Sequence, residues 1–474
     1  VATAGTVPDV MAGLRLHQAG RLAEAQAIYQ QVLDAEPTHS DARHMLGLIE
    51  YQTGNVGRAI DLIGAAVQQK PGDPFALNNL GAAYMAARRF GEAADVFRRA
   101  VQLKPDYAEA LANLAGALKD SGLVVDSIAA YRQALAVDPG NSRAWNNLGN
   151  ALRDTGELGE ASDCYRQAVA ASPANAEAHN NIGVVLAGEG RIPEALESYQ
   201  RAISIRPEFA DAHLNLGNAL KDLGRIDEAI ASYREAVRLA PANTVAAHLL
   251  AALTGSGAER APNEYVAGVF DGYADRFDEH LVQGLGYRIP EYLVTSLLKH
   301  GVPSAGEWAV LDLGCGTGLA GEAVVSHSRR LVGIDLSANM LAKARERNIY
   351  ERLVQADLLP AMRAEPLAGY DLVLAADVFV YLGRLDEVVA QAARLLRPGG
   401  VFAFSVEALE ALPEDRRGDG QGFVLNDKGR FAHAASYIER LAAGNGLRLL
   451  ELTGVQSRLE QGVPVRGWLV LMAR

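Results

Sequence analysis

The residues best suited to chemistry lie in the second half of the sequence. An apolar run, WAVLDL at 308–313, ends in Gly314-Cys315-Gly316-Thr317-Gly318. Glycines at a strand end let the backbone come close to a ligand. The next apolar run, LVGID at 331–335, ends in Asp335, 17 residues after Gly318. An acidic residue at that place can accept both hydroxyls of a ribose. A third run, RLVQAD, ends in Asp357, and a fourth, YDLVLAA at 370–376, runs into Asp377. Each carboxylate alone reads as a helix cap or a solvated strand end. Three at three successive strand ends point to a ligand instead.

The elements that must position these groups are strands and helices in alternation. A helical segment (LAGEAVVSH) follows the glycines, and another (SANMLAKARER) follows Asp335. A helix ending at LLRPGG leads to a fifth strand, VFAFSVE, and GVPVRGWLVLMA at 462–473 reads as a last strand. Apolar runs of this length suit buried parallel strands. The first half follows a different rule. Prolines fall at 37, 71, 105, 139, 173, 207 and 241, always 34 residues apart. The small residues Ala25 to Ala229 and Gly13 to Gly217 keep that step, as do the aromatics Tyr29, Phe97, Tyr131, Tyr165, Tyr199 and Tyr233, with Ile63 the exception. Each unit reads helix, turn, helix, turn, with glycine at the inner turn in six of the seven (Gly20, Gly54, Gly122, Gly156, Gly190 and Gly224) and proline ending the second helix. The small residues are expected to let two helices approach, and the aromatic to fill the gap between units.

This pattern resembles the tetratricopeptide repeat over seven units, with VAAHLLAAL at 245–253 as a closing helix. The resemblance implies a superhelix of antiparallel helix pairs with a concave face. Asn79, Asn113, Asn147, Asn181 and Asn215 occupy one repeat position, and Asp120, Asp154 and Asp222 recur seven residues later. A primary amide both donates and accepts, so such a ladder suits the backbone of an extended peptide. It is similar to the asparagine ladder inside the superhelix of O-GlcNAc transferase. The plainer reading of the same residues is helix–helix hydrogen bonding.

The second half resembles the class I S-adenosylmethionine methyltransferases, whose first motif DLGCGTG matches. The resemblance implies a Rossmann-like seven-stranded sheet with an antiparallel last strand. It implies that Gly314, Gly316 and Gly318 shape the methionine pocket, with Asp312 near the amino group and Asp335 on the ribose. Met340 should pack on adenine, Asp357 and the Leu358 backbone should meet the adenine edge, and Ala375 and Ala376 should line the sulfonium side. Residues 265–290 are similar to the lid helix of methyltransferases acting on quinones and malonyl carriers. Tyr273, His280 and Arg288 are the candidates there, Arg288 for the methionine carboxylate. The whole layout looks like bacterial tetratricopeptide-repeat methyltransferase fusions.

Acceptor residues are sought near the fourth strand and in late loops. Asp377 and Tyr381 are candidates to face the acceptor. Arg430, His433 and Tyr437 sit in a polar stretch, 407–437, at an expected helix start, with His433 as general base. Arg458 and Glu460 belong to a late hairpin. No Asn/Asp-Pro-Pro-Tyr/Phe sequence occurs, which disfavours DNA amine methylation, and Cys315 inside the glycine loop is a poor nucleophile candidate.

Composition bounds the rest. The 474 residues carry 57 acidic and 45 basic side chains, a formal charge of −12. That balance argues against a nucleic-acid partner. Two cysteines fit a reducing, cytoplasmic setting, and no metal site is expected. No stretch is apolar enough to span a membrane, and residues 1–7 lack the look of a signal peptide. The expected organisation is a tail at 1–6, repeats at 7–253, a linker at 254–263 and a methyltransferase domain at 264–474. The expected function is methylation of a protein or peptide held in the repeat groove. The alternative is a small-molecule or carrier-bound acyl substrate, with the repeats docking a partner.

Overall fold

The computed structural model describes residues 9–255, 257–271, 274, 277–301, 308–418, 420–460 and 462–474. Two compact units divide between Leu223 and Gly224. The first unit is helical throughout, running from Val10–Gln18 to Ala210–Asp222. Its helices cross closely because glycine permits it. A Cβ on Gly13, Gly81, Gly149 or Gly183 would lie 2.5 Å from the ring of Tyr29, Phe97, Tyr165 or Tyr199 respectively. Each aromatic therefore seats on the glycine of its own repeat, not in a gap between repeats as the spacing alone suggested. The inner turn brings the two positions together, and Tyr29, Phe97 and Tyr165 are fully buried there.

Inner turns need a left-handed residue. Gly20, Gly54, Gly122, Gly156 and Gly190 supply it, with φ between 73° and 87°. In the third repeat Arg88 takes that place with φ 58°. A side chain costs about 1 kcal/mol in this conformation. Arg88→Gly should therefore stabilise the first unit by roughly that amount. Urea unfolding of the full chain followed by helix signal would show it, and an unchanged or lower midpoint would refute it.

The second unit opens with the helices Ile226–Leu239 and Thr244–Thr254, which end the repeat pattern. A mixed sheet follows: β1 (Trp308–Leu313), β2 (Ser328–Asp335), β3 (Arg352–Gln355), β4 (Tyr370–Ala375), β5 (Leu396–Ala408), β6 (Phe423–Leu425), β7 (Phe431–His433), β8 (Arg448–Glu460) and β9 (Val463–Ala473). The strands β3-β2-β1-β4-β5 are parallel neighbours, and β9 runs antiparallel between β5 and β8. These seven strands are the expected sheet. The short hairpin β6–β7 adds two more beside the end of β5, within a stretch that reads as polar loop. Hydrophobic burial drives the stacking: Leu311, Val332, Val373, Phe402, Phe404 and Val470 share one core with Ala252 of the closing repeat helix.

Strand order reverses between β1 and β4, so their carboxyl ends frame a crevice where ligands of open α/β sheets bind. The segment expected as a linker is fastened beside it. The Ala261 N–H donates to the Tyr381 carbonyl at 2.9 Å, and the Gly383 N–H to the Glu259 carbonyl at 2.8 Å.

Candidate active site

The turn after β1 is built for close approach. Gly314, Gly316 and Gly318 have φ of 61°, 54° and 95°. A Cβ on Gly314 would stand 2.6 Å from Val378, which packs beneath the turn. Asp335 holds the turn from the end of β2. Its Oδ2 accepts the Gly316 N–H and its Oδ1 the Ser337 N–H, both at 2.8 Å. Burial raises its pKa, while these backbone donors oppose the rise. Gly314, Gly316, Asp335, Met340, Leu358 and Ala376 all line one cavity of about 300 Å³, a size suited to a small ligand. Gly318 contributes by conformation and caps the helix Leu319–Val324.

The same cavity reaches Asp377, Tyr381, Arg430, Arg458 and Glu460. There the ionic groups form one buried cluster. Arg458, 6% exposed, bonds Asp377 Oδ2 and Glu407 Oε1 at 2.5 Å and Glu460 Oε1 at 3.1 Å. Arg430 bonds Glu407 Oε1 at 2.7 Å and also pairs with Glu460, which Lys428 joins from outside. Burial works against the charge of Glu460, but Arg430, Lys428 and Arg458 outweigh it and hold its pKa down at about 2. Tyr381 meets the edge of Phe270, and burial pushes its pKa far up, so its hydroxyl stays protonated. Cys315 lines the cavity, and burial likewise keeps its thiol protonated.

A lid covers the cavity with Val266, Val269, Phe270, Phe277, Leu281 and Leu285. Two acids fasten it to the turns below. Asp278 takes the Thr317 hydroxyl and pairs with Arg347, while Asp271 Oδ1 takes the Ser337 hydroxyl at 2.5 Å.

Several sequence candidates lie elsewhere. Asp312 is buried behind the turn and accepts the Tyr350 hydroxyl at 2.7 Å, so it does not reach the cavity. Burial pushes its pKa up to about 7. Asp357 is engaged by Arg260 at 2.6 Å, and Arg260, not Asp357, lines the cavity. Arg288 points to solvent and pairs with Glu291 at 2.7 Å, because it begins the helix Ile289–Lys299 on its outer face. His280 is exposed on the turn His280–Gly284, whose Leu281 faces the cavity instead. Tyr273 lies outside the described residues.

His433 and Tyr437 also need correction. β7 carries His433 into the interior, fully buried, where its Nε2–H donates to the Gly383 carbonyl at 3.0 Å. It is no general base at the cavity. Tyr437 stacks on it and bonds Asp386 and the Leu385 N–H. Burial pushes the His433 pKa down to about 4. A depressed base favours the folded state above its unfolded pKa and loses that advantage as pH falls toward the folded value. The stability difference between wild type and His433→Gln should therefore shrink by roughly 3 kcal/mol from pH 7 to pH 4. Paired urea titrations would read this, and a pH-independent difference would refute it.

Sequence reasoning missed Arg260, Glu407 and the lid acids. Glu407 continues the pattern of an acid at each strand end, here β5, which was a usable signal. Arg260 sat in a stretch whose composition reads as linker.

In the helical unit the ladder amides meet each other. Asn113, Asn181 and Asn215 each donate to the buried Asn78, Asn146 and Asn180 of the preceding repeat, at 2.9–3.0 Å. Asn79 meets His44 at 2.9 Å. Ala112 stands where Asn147 would need such a partner. The amides thus stitch neighbouring repeats, and all five stay half-buried. A groove at this face is lined by Asn146, Asn180, Asn181, Arg206, Phe209 and Asp211, among others. Asp120, Asp154 and Asp222 are exposed, Asp154 beside Lys119 at 2.9 Å.

Family models match this chain in both halves. A methyltransferase domain matches residues 311–402. Tetratricopeptide repeat models match 10–74, 74–107, 130–161, 149–190, 189–224 and 210–243. A malonyl-[acyl-carrier protein] O-methyltransferase of Enterobacter lignolyticus is 35% identical over 29% of this chain and 52% of its own. A ubiquinone biosynthesis O-methyltransferase of Coxiella burnetii is 25% identical over 37% of this chain and 75% of its own. The chain thus spans about half the length of the first of these relatives. Among solved structures, MamA is 26% identical over 34% of this chain and 95% of its own, with a TM-score of 0.32.

Proposed function

We propose, for a chain that joins tetratricopeptide repeats to a methyltransferase domain, an S-adenosylmethionine-dependent methyltransferase whose acceptor is part of, or carried by, a protein that the repeats hold. One observation carries this reading: the positive-φ glycine turn, tied by Asp335, opens onto the cavity that also holds Asp377, Tyr381 and the arginine cluster. The residues fit the cofactor. Asp335 lines the cavity, and a carboxylate with about four acceptor sites can take ribose hydroxyls beside the backbone N–H groups that it already holds. Leu336, Met340 and Leu358 offer apolar contact to a flat base. When bound, the cofactor supplies an electrophilic methyl group on sulfur. The protein's own task is to align, to enclose and to move a proton. Phe270, Phe277 and Leu281 on the lid keep water out.

A covered, apolar cavity suits a slender acceptor, such as a side chain or a carried acyl group, better than a folded surface. The relatives' names, one with a carrier-bound substrate, support that direction. The repeats would raise the local concentration of the carrying chain.

Calorimetric titration of the full chain with S-adenosylhomocysteine tests the cofactor reading. Micromolar binding is expected, and no binding at high micromolar concentration would overturn it. For the repeats, the combined variant Asn147→Ala/Asn181→Ala/Asn215→Ala should keep that binding and lose methyl transfer to a peptide acceptor. Undiminished transfer would remove the ladder from the account.

A further inference from the structure

We propose that the cavity receives its acceptor as a neutral hydroxyl or amine, not as a carboxylate, and that Asp377 Oδ1 holds and removes its proton. This rests on the methyltransferase reading above and adds the acceptor's chemical class.

Charge at the far end of the cavity is the first argument. Each cation lining it, among the described residues, is committed. Arg260 bonds Asp357 and Asn263 at 2.6 Å each, Arg430 bonds Glu407 and Glu460, and Arg458 bonds three carboxylates. The lining carboxylates Asp335, Asp377 and Glu460 match these cations in number, and Glu407 behind them adds another negative charge. An acceptor carboxylate would find no uncommitted cation among the described residues and would face Asp377 in a poorly solvated space, where like charges repel strongly.

Asp377 supplies the second argument. It follows β4 with φ 61°, a conformation that few residues other than glycine adopt. Its N–H is anchored on Ser405 Oγ at 2.9 Å, and its Oδ2 on Arg458 at 2.5 Å. Its Oδ1 is buried and accepts no hydrogen bond from any described residue. A buried carboxylate oxygen without a donor is costly. An acceptor O–H or N–H would satisfy it. The other candidate bases do not compete, since His433 is sealed in the interior and Tyr381 keeps its proton. Burial raises the Asp377 proton affinity, which suits a group that must take a proton.

The step balances for a hydroxyl. The acceptor oxygen forms its bond to the methyl carbon, the carbon–sulfur pair goes to sulfur, and the acceptor proton goes to Oδ1. One positive charge on sulfur and one negative charge on Asp377 disappear together. Arg458 is a positioning residue: it holds Oδ2 and leaves Oδ1 without a protein donor among the described residues.

The test is ligand-observed NMR on the full chain saturated with S-adenosylhomocysteine, using phenol, benzyl alcohol and benzoate as matched probes. Phenol and benzyl alcohol should show saturable binding, and benzoate should bind weaker or not at all. Asp377→Asn should weaken the hydroxyl probes about tenfold, the loss of one charge-assisted hydrogen bond. Its calorimetric S-adenosylhomocysteine affinity should stay near wild type, which also shows that it folds. Equal or tighter benzoate binding, no hydroxyl-probe binding, or indifference to Asp377→Asn would each overturn the acceptor assignment while leaving the cofactor reading intact. Failure of wild type to bind S-adenosylhomocysteine would instead overturn the cofactor reading and the assignment with it.

Discussion

Asp335→Ala is expected to weaken S-adenosylhomocysteine binding by about a hundredfold or more. Two hydrogen bonds from ribose hydroxyls to one carboxylate are worth roughly 3–6 kcal/mol together. The same substitution also frees the Gly316 and Ser337 N–H groups that Asp335 now holds at 2.8 Å. The glycine turn would then lose its tie to β2 as well as its contact to ligand. Asp335→Asn keeps one acceptor oxygen and should fall between the two. Calorimetry on the full chain reads all three proteins. A loss below about tenfold for the alanine variant would place the ribose elsewhere.

Arg458→Ala is expected to be the most damaging substitution for folding. It leaves Asp377, Glu407 and Glu460 as neighbouring carboxylates with only Arg430 and Lys428 to balance them. Removing one member of a buried ion cluster costs about 3–5 kcal/mol. In a unit of this size that lowers the melting temperature by roughly 10 °C. Arg458→Lys should recover little, because one ammonium cannot span the separate oxygens that a guanidinium fork reaches. Acid should narrow the deficit, since protonating the orphaned carboxylates removes their repulsion. Scanning calorimetry at neutral and acid pH would decide. A drop of less than about 2 °C at neutral pH would mean that the cluster is screened by water after all.

Legibility in the sequence followed range. The repeats were readable because their signal is local and recurs: a proline, a glycine and an aromatic at fixed offsets. The glycine turn and Asp335 were readable because strand, turn and acid are adjacent in the chain. What failed depended on direction or on distant partners. Asp312 turns to Tyr350, 38 residues on, and nothing near Asp312 announces that tyrosine. Arg288 begins a helix, and the phase of that helix, not its charge, sends it outward. His433 read as a residue at a helix start because its strand is only three residues long and gains its burial from β5 and β6. The ladder asparagines and the amides beside them, Asn78, Asn146 and Asn180, are both periodic in the sequence, but that one series donates to the other across repeats is visible only once the helices are paired.

The closing repeat helix has one more consequence. His248 donates to the Gly429 carbonyl at 3.1 Å and packs on Tyr265 of the lid, while Ala252 lies in the core of the α/β sheet. Gly429 precedes Arg430, so a helix that by pattern closes the repeats also braces the floor and the cover of the cavity. Severing the chain at residue 264, where the composition changes, would strip that brace and bare apolar surface. A cut at residue 224 would carry the helix along. The boundary drawn by the repeat pattern is thus not the boundary of packing, and the last repeat helix belongs with the α/β sheet.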